Sequence, residues 1–272
     1  MKKISLVGWD ADRVIYDDLF TSVCAMQSKS DPMPYVEKFI RDGWFSLEDV
    51  ENWCAIKKIK IKTIEHLAQM LTEFYSISTK NGTSIINHEQ VIEAKHSLLR
   101  GFTIEQIEQI SSKMVYTKGF VECANIFKDN GIKQTMFSDG PNPHVLFQIK
   151  KLGFQSGGGV NHIVEYDGKE VEYDSNTPKH AKLTGKIVPF DKAEAFFKYV
   201  SSQGCSLSEV AVIDDSAGNV ESLLLPVHNA GGLAVGFNVT ERHKPVFRKF
   251  GIPVIKGNDL STFKEIVLNF CD

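Results

Sequence analysis

The chain begins with a short apolar segment that ends in two carboxylates, Asp10 and Asp12. A buried carboxylate is costly unless a partner compensates its charge. At the carboxyl end of a parallel strand, where open α/β sheets bind their ligands, the same pair becomes useful. One carboxylate can attack a phosphorus centre while the other protonates the leaving group, and a divalent cation can hold both. An isolated Asp-x-Asp is as often a turn or a cap, so this interpretation depends on the rest of the chain.

A hydroxyl residue and a lysine are the next candidates along the chain. An apolar segment leads into Ser138 and Asp139, where the hydroxyl and the free backbone N–H groups of a turn can bind a phosphoryl oxygen. Lys192 opens a predicted helix, a position that the helix dipole disfavours for a cation. Compensation of phosphate charge would explain this lysine. The alternatives are ordinary turn chemistry for Ser-Asp-Gly and a solvated surface lysine.

A second acidic pair, Asp214 and Asp215, ends the apolar segment 210–213, and Asn219 follows it. Mg²⁺ takes oxygen ligands in an octahedron and keeps several waters, so two or three protein oxygens suffice to hold it. The carboxyl ends of parallel strands share one edge of a sheet. We therefore expect the two acidic pairs, the hydroxyl and the lysine to assemble one site for phosphoryl transfer.

From about residue 118 onward, strand and helix patterns alternate, which predicts an α/β fold with a parallel sheet covered by helices on both faces. The strand before Asp10 belongs to the same sheet. A hairpin is expected where 162–166 and 170–173 join through Asp167-Gly168. The other predicted strands are 133–138, 186–189, 210–214, 233–237 and 253–255, and the predicted helices are 119–130, 143–152, 191–201, 219–225, 241–250 and 260–270.

Residues 17–117 have helical periodicity and almost no strand signal. We expect a helical domain over 17–117, inserted into a core domain made of 1–16 and 118–272. Its predicted helices are 34–42, 47–56, 63–75, 90–99 and 104–114, its N-caps are Ser46, Asn87 and Thr103, and its breaks are Asp31-Pro32, Asn81-Gly82 and Gly101.

Composition is that of a globular protein, with 42% hydrophobic and 24% charged residues among 272. The net charge of −3 provides no basic field for nucleic acid or an anionic membrane, and no apolar run is long enough to span a bilayer. The apolar segment after Met1 is too short for a signal peptide. The cysteines are scattered and odd in number, which indicates reduced thiols in a cytoplasmic protein without a zinc site: Cys24, Cys54, Cys123, Cys205 and Cys271.

The four segments, in this chain order, resemble the motifs of the haloacid dehalogenase (HAD) superfamily of aspartyl-phosphate phosphatases. Trp9–Val14 is similar to the first motif, Ser138 to the second, Lys192 to the third and Ile213–Asn219 to the fourth. Within the superfamily, the segments 98–107, 116–138, 183–188 and 230–235 resemble phosphoserine phosphatase. The resemblance implies a Rossmann-like core with an inserted helical cap over 17–117.

The resemblance also implies roles for the residues. Asp10 is expected as the nucleophile and Asp12 as the general acid and base. Ser138, Asp139 and Lys192 are expected to bind phosphate. Mg²⁺ is the expected cofactor, with ligands from Asp10, Asp12 and Asp215, and with Asp214 as a further ligand or, like Asn219, behind the ligands.

The expected substrate is a small phosphorylated metabolite. Arg13 stands where the family usually has a small residue, and with Asp18, Lys95 and Arg100 it is a candidate for substrate contact, although each of the last three is more often a surface residue. Two other functions remain open: a silent relative that binds a phosphorylated ligand, and a phosphotransferase or mutase with the same nucleophile. The sequence carries no signal for an oligomeric state.

Overall fold

The computed structural model describes residues 4–76, 85–241 and 243–270. The chain divides into two compact units. The first consists of Met1–Leu19, Ser111–Asn161 and Pro189–Asp272, and the second of Phe20–Ile110 and His162–Val188. The sequence pattern predicts that 162–188 belongs to the core domain, whereas in the structure this segment clusters with the helices of the second unit. The predicted break at Asn81-Gly82 lies outside the described residues.

The first unit is built on parallel strands in the order β3-β2-β1-β6-β7. Their bounds are β1 Leu6–Trp9, β2 Lys133–Pro141, β3 Ser156–Tyr166, β6 Val210–Asp214 and β7 Leu233–Gly236. Every residue of β1, β6 and β7 is buried, as expected for central strands covered on both faces. The helices of this unit are α7 Phe120–Asp129, α8 Asn142–Leu152, α9 Lys192–Ser202, α10 Leu225–Asn229, α11 Lys244–Lys249 and α12 Ser261–Asn269.

Alternate side chains of β1 contact opposite layers of helix. Trp9 packs against Phe120 of α7 and Phe263 of α12 at ring-centroid distances of 5.2 and 5.3 Å. On the other face, Phe196 of α9 lies directly over Gly8, where an added Cβ would be 2.4 Å from the ring. Helix α9 therefore approaches the sheet closely because residue 8 has no side chain.

The second unit contains helices α1 Phe20–Gln27, α2 Met33–Arg41, α3 Leu47–Lys57, α4 Ile64–Ser76, α5 His88–Ser97 and most of α6 Ile104–Lys113. Capping boxes open three of them, at Ser46, Asn87 and Thr103, as predicted. Strand β4 Lys169–Glu172 pairs antiparallel with the later part of β3, and β5 Lys182–Val188 also pairs with β3. Helix α1 and the first half of β3 are elements that the sequence reading missed.

Two predicted elements differ in the structure. The predicted strand 253–255 is wrong, because only Val254 forms a bridge, with Gly236. The predicted helix 219–225 is a succession of a 3₁₀ turn at Ala217–Asn219, a π-helical turn at Val220–Leu224 and the short α10. The tight turn brings Asn219 back under the end of β6, where its side chain contacts Asp214. None of the described helices is both long enough and apolar enough to cross a bilayer.

Candidate active site

Three carboxylates meet at the carboxyl edge of the sheet. Asp10 follows β1, Asp214 ends β6 and Asp215 follows it, and β1 and β6 are neighbours. One carboxylate oxygen from each of the three lies within 4.8 Å of the others. The backbone N–H of Asp10 donates to the carbonyl of Ile213 at 3.1 Å, which ties the two strand ends together. The structure thus brings Asp10 of the first acidic pair together with both members of the second pair.

Lys192 is the buried cation of this cluster. Its Nζ lies 2.6 Å from Asp10 Oδ1 and 2.6 Å from Asp214 Oδ2. Burial lowers the pKa of Lys192, the charges of Asp10 and Asp214 raise it, and the carboxylates prevail, so its pKa lies well above the ordinary lysine value. The ammonium therefore stays charged and is not a surface lysine.

The N-terminus of α9 positions this lysine. Asp191 caps the helix by accepting from the backbone N–H of Glu194 at 2.9 Å. Lys192 is the first helical residue and Phe196 lies four residues later, on the same face. Because Phe196 packs on Gly8 of β1, the lysine on that face is directed to the residues that follow β1.

The side chain of Asp214 is fully engaged. Besides Lys192, it accepts from the backbone N–H of Ser216 at 2.8 Å and from the Nδ2 of Asn219 at 3.1 and 3.3 Å. Asn219 thus orients Asp214. The motif predicts that Asn219 lies behind the metal ligands, but it does not predict this contact. Asp215 is less enclosed, and its contact in the structure is with Arg13, whose Nη1 lies 3.5 Å from Oδ2.

Negative charge exceeds positive charge in the cluster. Burial raises the pKa of Asp10 well above its usual range, Lys192 opposes the rise, and Asp214 and Asp215 reinforce it. Burial and the charge of Asp214 raise the pKa of Asp215 to about 7 against the opposing effect of Arg13 and Lys192. The raised pKa values show that the nearby positive charge does not fully compensate these carboxylates. Because carboxylate oxygens are the ligands that hard divalent cations prefer, such a cation would supply the missing positive charge.

Asp12, Ser138 and Asp139 belong to the same edge. The charge of Asp12 contributes to the raised pKa of Asp215, and the charge of Asp139 contributes to the raised pKa of Lys192. Ser138 is buried and lies two residues after Met136, the residue of β2 that pairs with Trp9 of β1. The Ser138 hydroxyl accepts a hydrogen bond from the backbone N–H of Gly140 at 3.0 Å.

The remaining substrate candidates are distributed over the two units. Asp18 is exposed near the end of the first segment of the first unit, whereas Lys95 is half-buried on α5 and Arg100 is exposed, both in the second unit. Their part in substrate binding stays a prediction. Sequence reasoning missed Asn238, which follows β7 and whose side chain donates to the Arg13 carbonyl. The available signal was an asparagine soon after an apolar strand, because asparagine is one of the few residues that accept the left-handed backbone found there.

Comparison with solved structures identifies the fold. The chain is similar to phosphoserine phosphatase in a phospho-aspartyl intermediate analogue, with a TM-score of 0.63, 18% identity and coverage of 98% of this chain and 99% of that one. A substrate-bound phosphoserine phosphatase gives a TM-score of 0.63 at 18% identity and 99% coverage of both chains. A HAD-family hydrolase from Salmonella enterica serovar Typhi gives 0.66 at 12% identity, covering 100% of this chain and 72% of that one.

No protein-family model and no curated protein sequence matches the chain. The structural likeness shows that the chain has the HAD hydrolase fold, in which a mostly parallel α/β sheet is combined with an inserted set of helices.

Proposed function

We propose that the protein is a Mg²⁺-dependent phosphomonoesterase that forms an aspartyl-phosphate on Asp10. The observation that carries the proposal is the buried Lys192 ammonium, 2.6 Å from both Asp10 and Asp214. A purely structural role does not account for three carboxylates and one lysine at the ligand-binding edge of a parallel sheet, because burying such a cluster is costly. The fold, shared with phosphoserine phosphatases, supports the same conclusion.

Each residue has a distinct part in the proposed reaction. Since Asp10 Oδ1 is bound to Lys192, Oδ2 is the oxygen that attacks phosphorus. The bond between phosphorus and the ester oxygen breaks as Asp12 gives that oxygen a proton, which releases the alcohol. Asp12 then takes a proton from the water that attacks the phosphorus of the acyl phosphate, and the release of phosphate restores the Asp10 carboxylate.

Lys192 and Ser138 bind the phosphoryl oxygens in this proposal, with the turn at Asp139. Positive charge and hydrogen-bond donors directed at the equatorial oxygens provide most of the catalysis in phosphoryl transfer.

The metal ligands divide into direct and supporting residues. We assign two carboxylate ligands to a divalent cation: Asp215, and Asp10 through Oδ1, which keeps a second lone pair beside its hydrogen bond from Lys192 and leaves Oδ2 for the attack on phosphorus. We assign a further ligand to the Asp12 backbone carbonyl. The oxygens of Asp214 are already occupied by Lys192, Ser216 and Asn219, so we assign Asp214 and Asn219 to the layer behind the ligands. Bound Mg²⁺ would neutralise charge on the phosphate and on the two carboxylates.

The test is a panel of phosphomonoesters, with phosphoserine among them, assayed with Mg²⁺ and with EDTA. We expect phosphate release that depends on the metal and falls at least about a thousandfold in Asp10→Asn, because the amide has nearly the shape of the carboxylate but is not nucleophilic. Binding of the esters without turnover would instead indicate a silent ligand-binding protein. Transfer of the phosphoryl group to a second substrate without free phosphate would indicate a phosphotransferase.

A further inference from the structure

The side chain of Arg13 spans the end of β6. Arg13 follows β1, Asn238 follows β7, and β6 lies between these strands in the sheet. The Nη2 of Arg13 donates to the carbonyl of Asn238 at 3.0 Å, and the Nδ2 of Asn238 donates to the carbonyl of Arg13 at 3.2 Å. These reciprocal hydrogen bonds join the two outer loops across the middle one, which carries Asp215.

The backbone conformation of both residues is unusual. Arg13 has φ 61° and Asn238 has φ 53°, both in the left-handed region. This region is sterically unfavourable for an arginine, whereas asparagine tolerates it better. The reciprocal hydrogen bonds hold this conformation, so the guanidinium is positioned by the fold and is not a freely moving surface group. Its side chain is 29% exposed.

The guanidinium is placed beside a carboxylate of the acidic cluster. Nη1 of Arg13 lies 3.5 Å from Oδ2 of Asp215, whose side chain is 17% exposed. An arginine side chain does not lose its proton in a protein, so this positive charge is permanent. Any divalent cation that binds Asp215 must share that carboxylate with the guanidinium and is repelled by it.

We infer that Arg13 is a resident counter-charge that competes with the divalent cation for Asp215 and thereby weakens cation binding. This inference rests on the proposed function, because it concerns the cation site assigned there. It goes beyond that proposal because it says what sets the affinity of the site for the cation, namely Arg13 as positioned by Asn238; the proposed reaction is unchanged. Two unit charges this close, near a protein surface, interact strongly enough to change an affinity by about tenfold or more.

The experiment measures binding of Mn²⁺ and Mg²⁺ alone to the full chain by calorimetry, without substrate. The variant Arg13→Gln removes the charge but keeps a long polar side chain, and glutamine meets the same steric restriction in the left-handed backbone as arginine. Arg13→Lys keeps a positive charge at this position and is the matched control. Asp215→Asn, in the background of Arg13→Gln, shows whether the binding that is measured occurs at this site.

We expect Arg13→Gln to bind Mn²⁺ at least about tenfold more tightly than wild type, Arg13→Lys to remain within about threefold of wild type, and Asp215→Asn to remove the gain. Equal affinity of Arg13→Gln and wild type would overturn the inference and leave the proposed cation site standing. A gain of the same size in Arg13→Lys would also overturn it, since shape and not charge would then be responsible. If no variant binds either metal, the proposed function and the inference fail together.

Discussion

Lys192 compensates two carboxylates that the fold buries within hydrogen-bond distance of it. Both contacts measure 2.6 Å, and the side chains of Asp10 and Asp214 are 8% and 0% exposed. An ion pair of this kind adds little stability compared with apolar residues, but loss of one partner leaves an uncompensated buried charge. The same lysine that we propose to bind phosphate is therefore also required for the acidic cluster to exist in the absence of a ligand.

We predict that Lys192→Met destabilises the protein by about 3–5 kcal/mol at neutral pH. The stem of the side chain is nearly preserved, so the loss reflects charge and not volume. Adding Asp214→Asn should recover part of the loss, because one of the two stranded carboxylates disappears. Urea unfolding in EDTA measures the free energy of unfolding of each variant.

A control for this prediction is the exposed pair of Lys186 and Glu170, which also measures 2.6 Å. Screening by water makes such surface pairs weak, so Lys186→Met should change the free energy of unfolding little. If Lys192→Met behaved like Lys186→Met, the Asp10 and Asp214 carboxylates would not depend on the ammonium for their stability.

Among the secondary-structure elements, α9 and β1 set the geometry of the site together. The distance between them is small because Gly8 has no side chain, and Lys192 is one turn from the point of contact. Helix α9 is buried along this face through Phe196 and Val200. A change in the spacing between helix and strand therefore acts on the position of the ammonium.

We predict that Gly8→Ala destabilises the protein by about 1–3 kcal/mol, since its Cβ would be 2.4 Å from the Phe196 ring, which is itself buried. Phosphate release should fall more than expected from stability alone, because α9 must shift and Lys192 moves with it. Unfolding measurements and kcat at a temperature where the variant is fully folded separate the two effects.

The double variant Gly8→Ala with Phe196→Leu provides a matched test, because leucine is smaller than the ring that the methyl group meets. We expect the destabilisation of the double variant to be smaller than the sum of the two single ones. Simple additivity of the two losses would show that the contact between residue 8 and Phe196 does not set the spacing.

The elements that sequence reasoning could predict are those with local signals. Capping residues such as Ser46 and Asn87 mark the start of α3 and α5, and the apolar run 210–213 marks β6. The start of β3 could not be predicted, because Gly157 and its neighbours have low strand propensity. Its reason is tertiary: a Cβ at Gly157 would lie 1.9 Å from the carbonyl oxygen of Met136.

The same division holds for the site. That Asp10, Asp214 and Asp215 lie close together could be predicted, because each ends or follows an apolar strand. Nothing local to Arg13 or Asn238 predicts their reciprocal hydrogen bonds, since the two residues are 225 positions apart and meet only through the sheet order.

Across the whole molecule, each of the two units contains a buried histidine that the fold holds neutral. In the first unit, His144 is fully buried, its Nδ1 lies 2.8 Å from the Ser111 hydroxyl, and burial lowers its pKa to about 3. In the second, Nε2 of His162 lies 2.8 Å from Nδ1 of His96, and burial followed by the charge of His96 lowers the pKa of His162 well below its usual value. Acid should therefore affect both units.

We predict that His144 and His162 make the protein less stable as the pH falls below about 6.5. Both pKa values are lower in the folded chain, so the unfolded chain binds more protons in this range. Their contribution is fully present above the unfolded pKa of about 6.5 and is lost towards lower pH, by up to about 1.4 kcal/mol per pH unit for each histidine. The carboxylates Asp10 and Asp215 act in the opposite direction, because their raised pKa values favour the folded chain at low pH.

Because these two effects overlap, the measurement compares variants and not only pH values. Urea unfolding at pH 7.5 and pH 5.5, in EDTA, gives the change in the free energy of unfolding for wild type, His144→Gln and His162→Gln. Each variant retains its carboxylates, so a smaller loss towards acid than in wild type isolates the histidine that was replaced. His180 is exposed, and His180→Gln should leave the pH dependence as in wild type. An unchanged pH dependence in His144→Gln and His162→Gln as well would contradict the prediction, because protonation of these two histidines would then carry no cost in the folded chain.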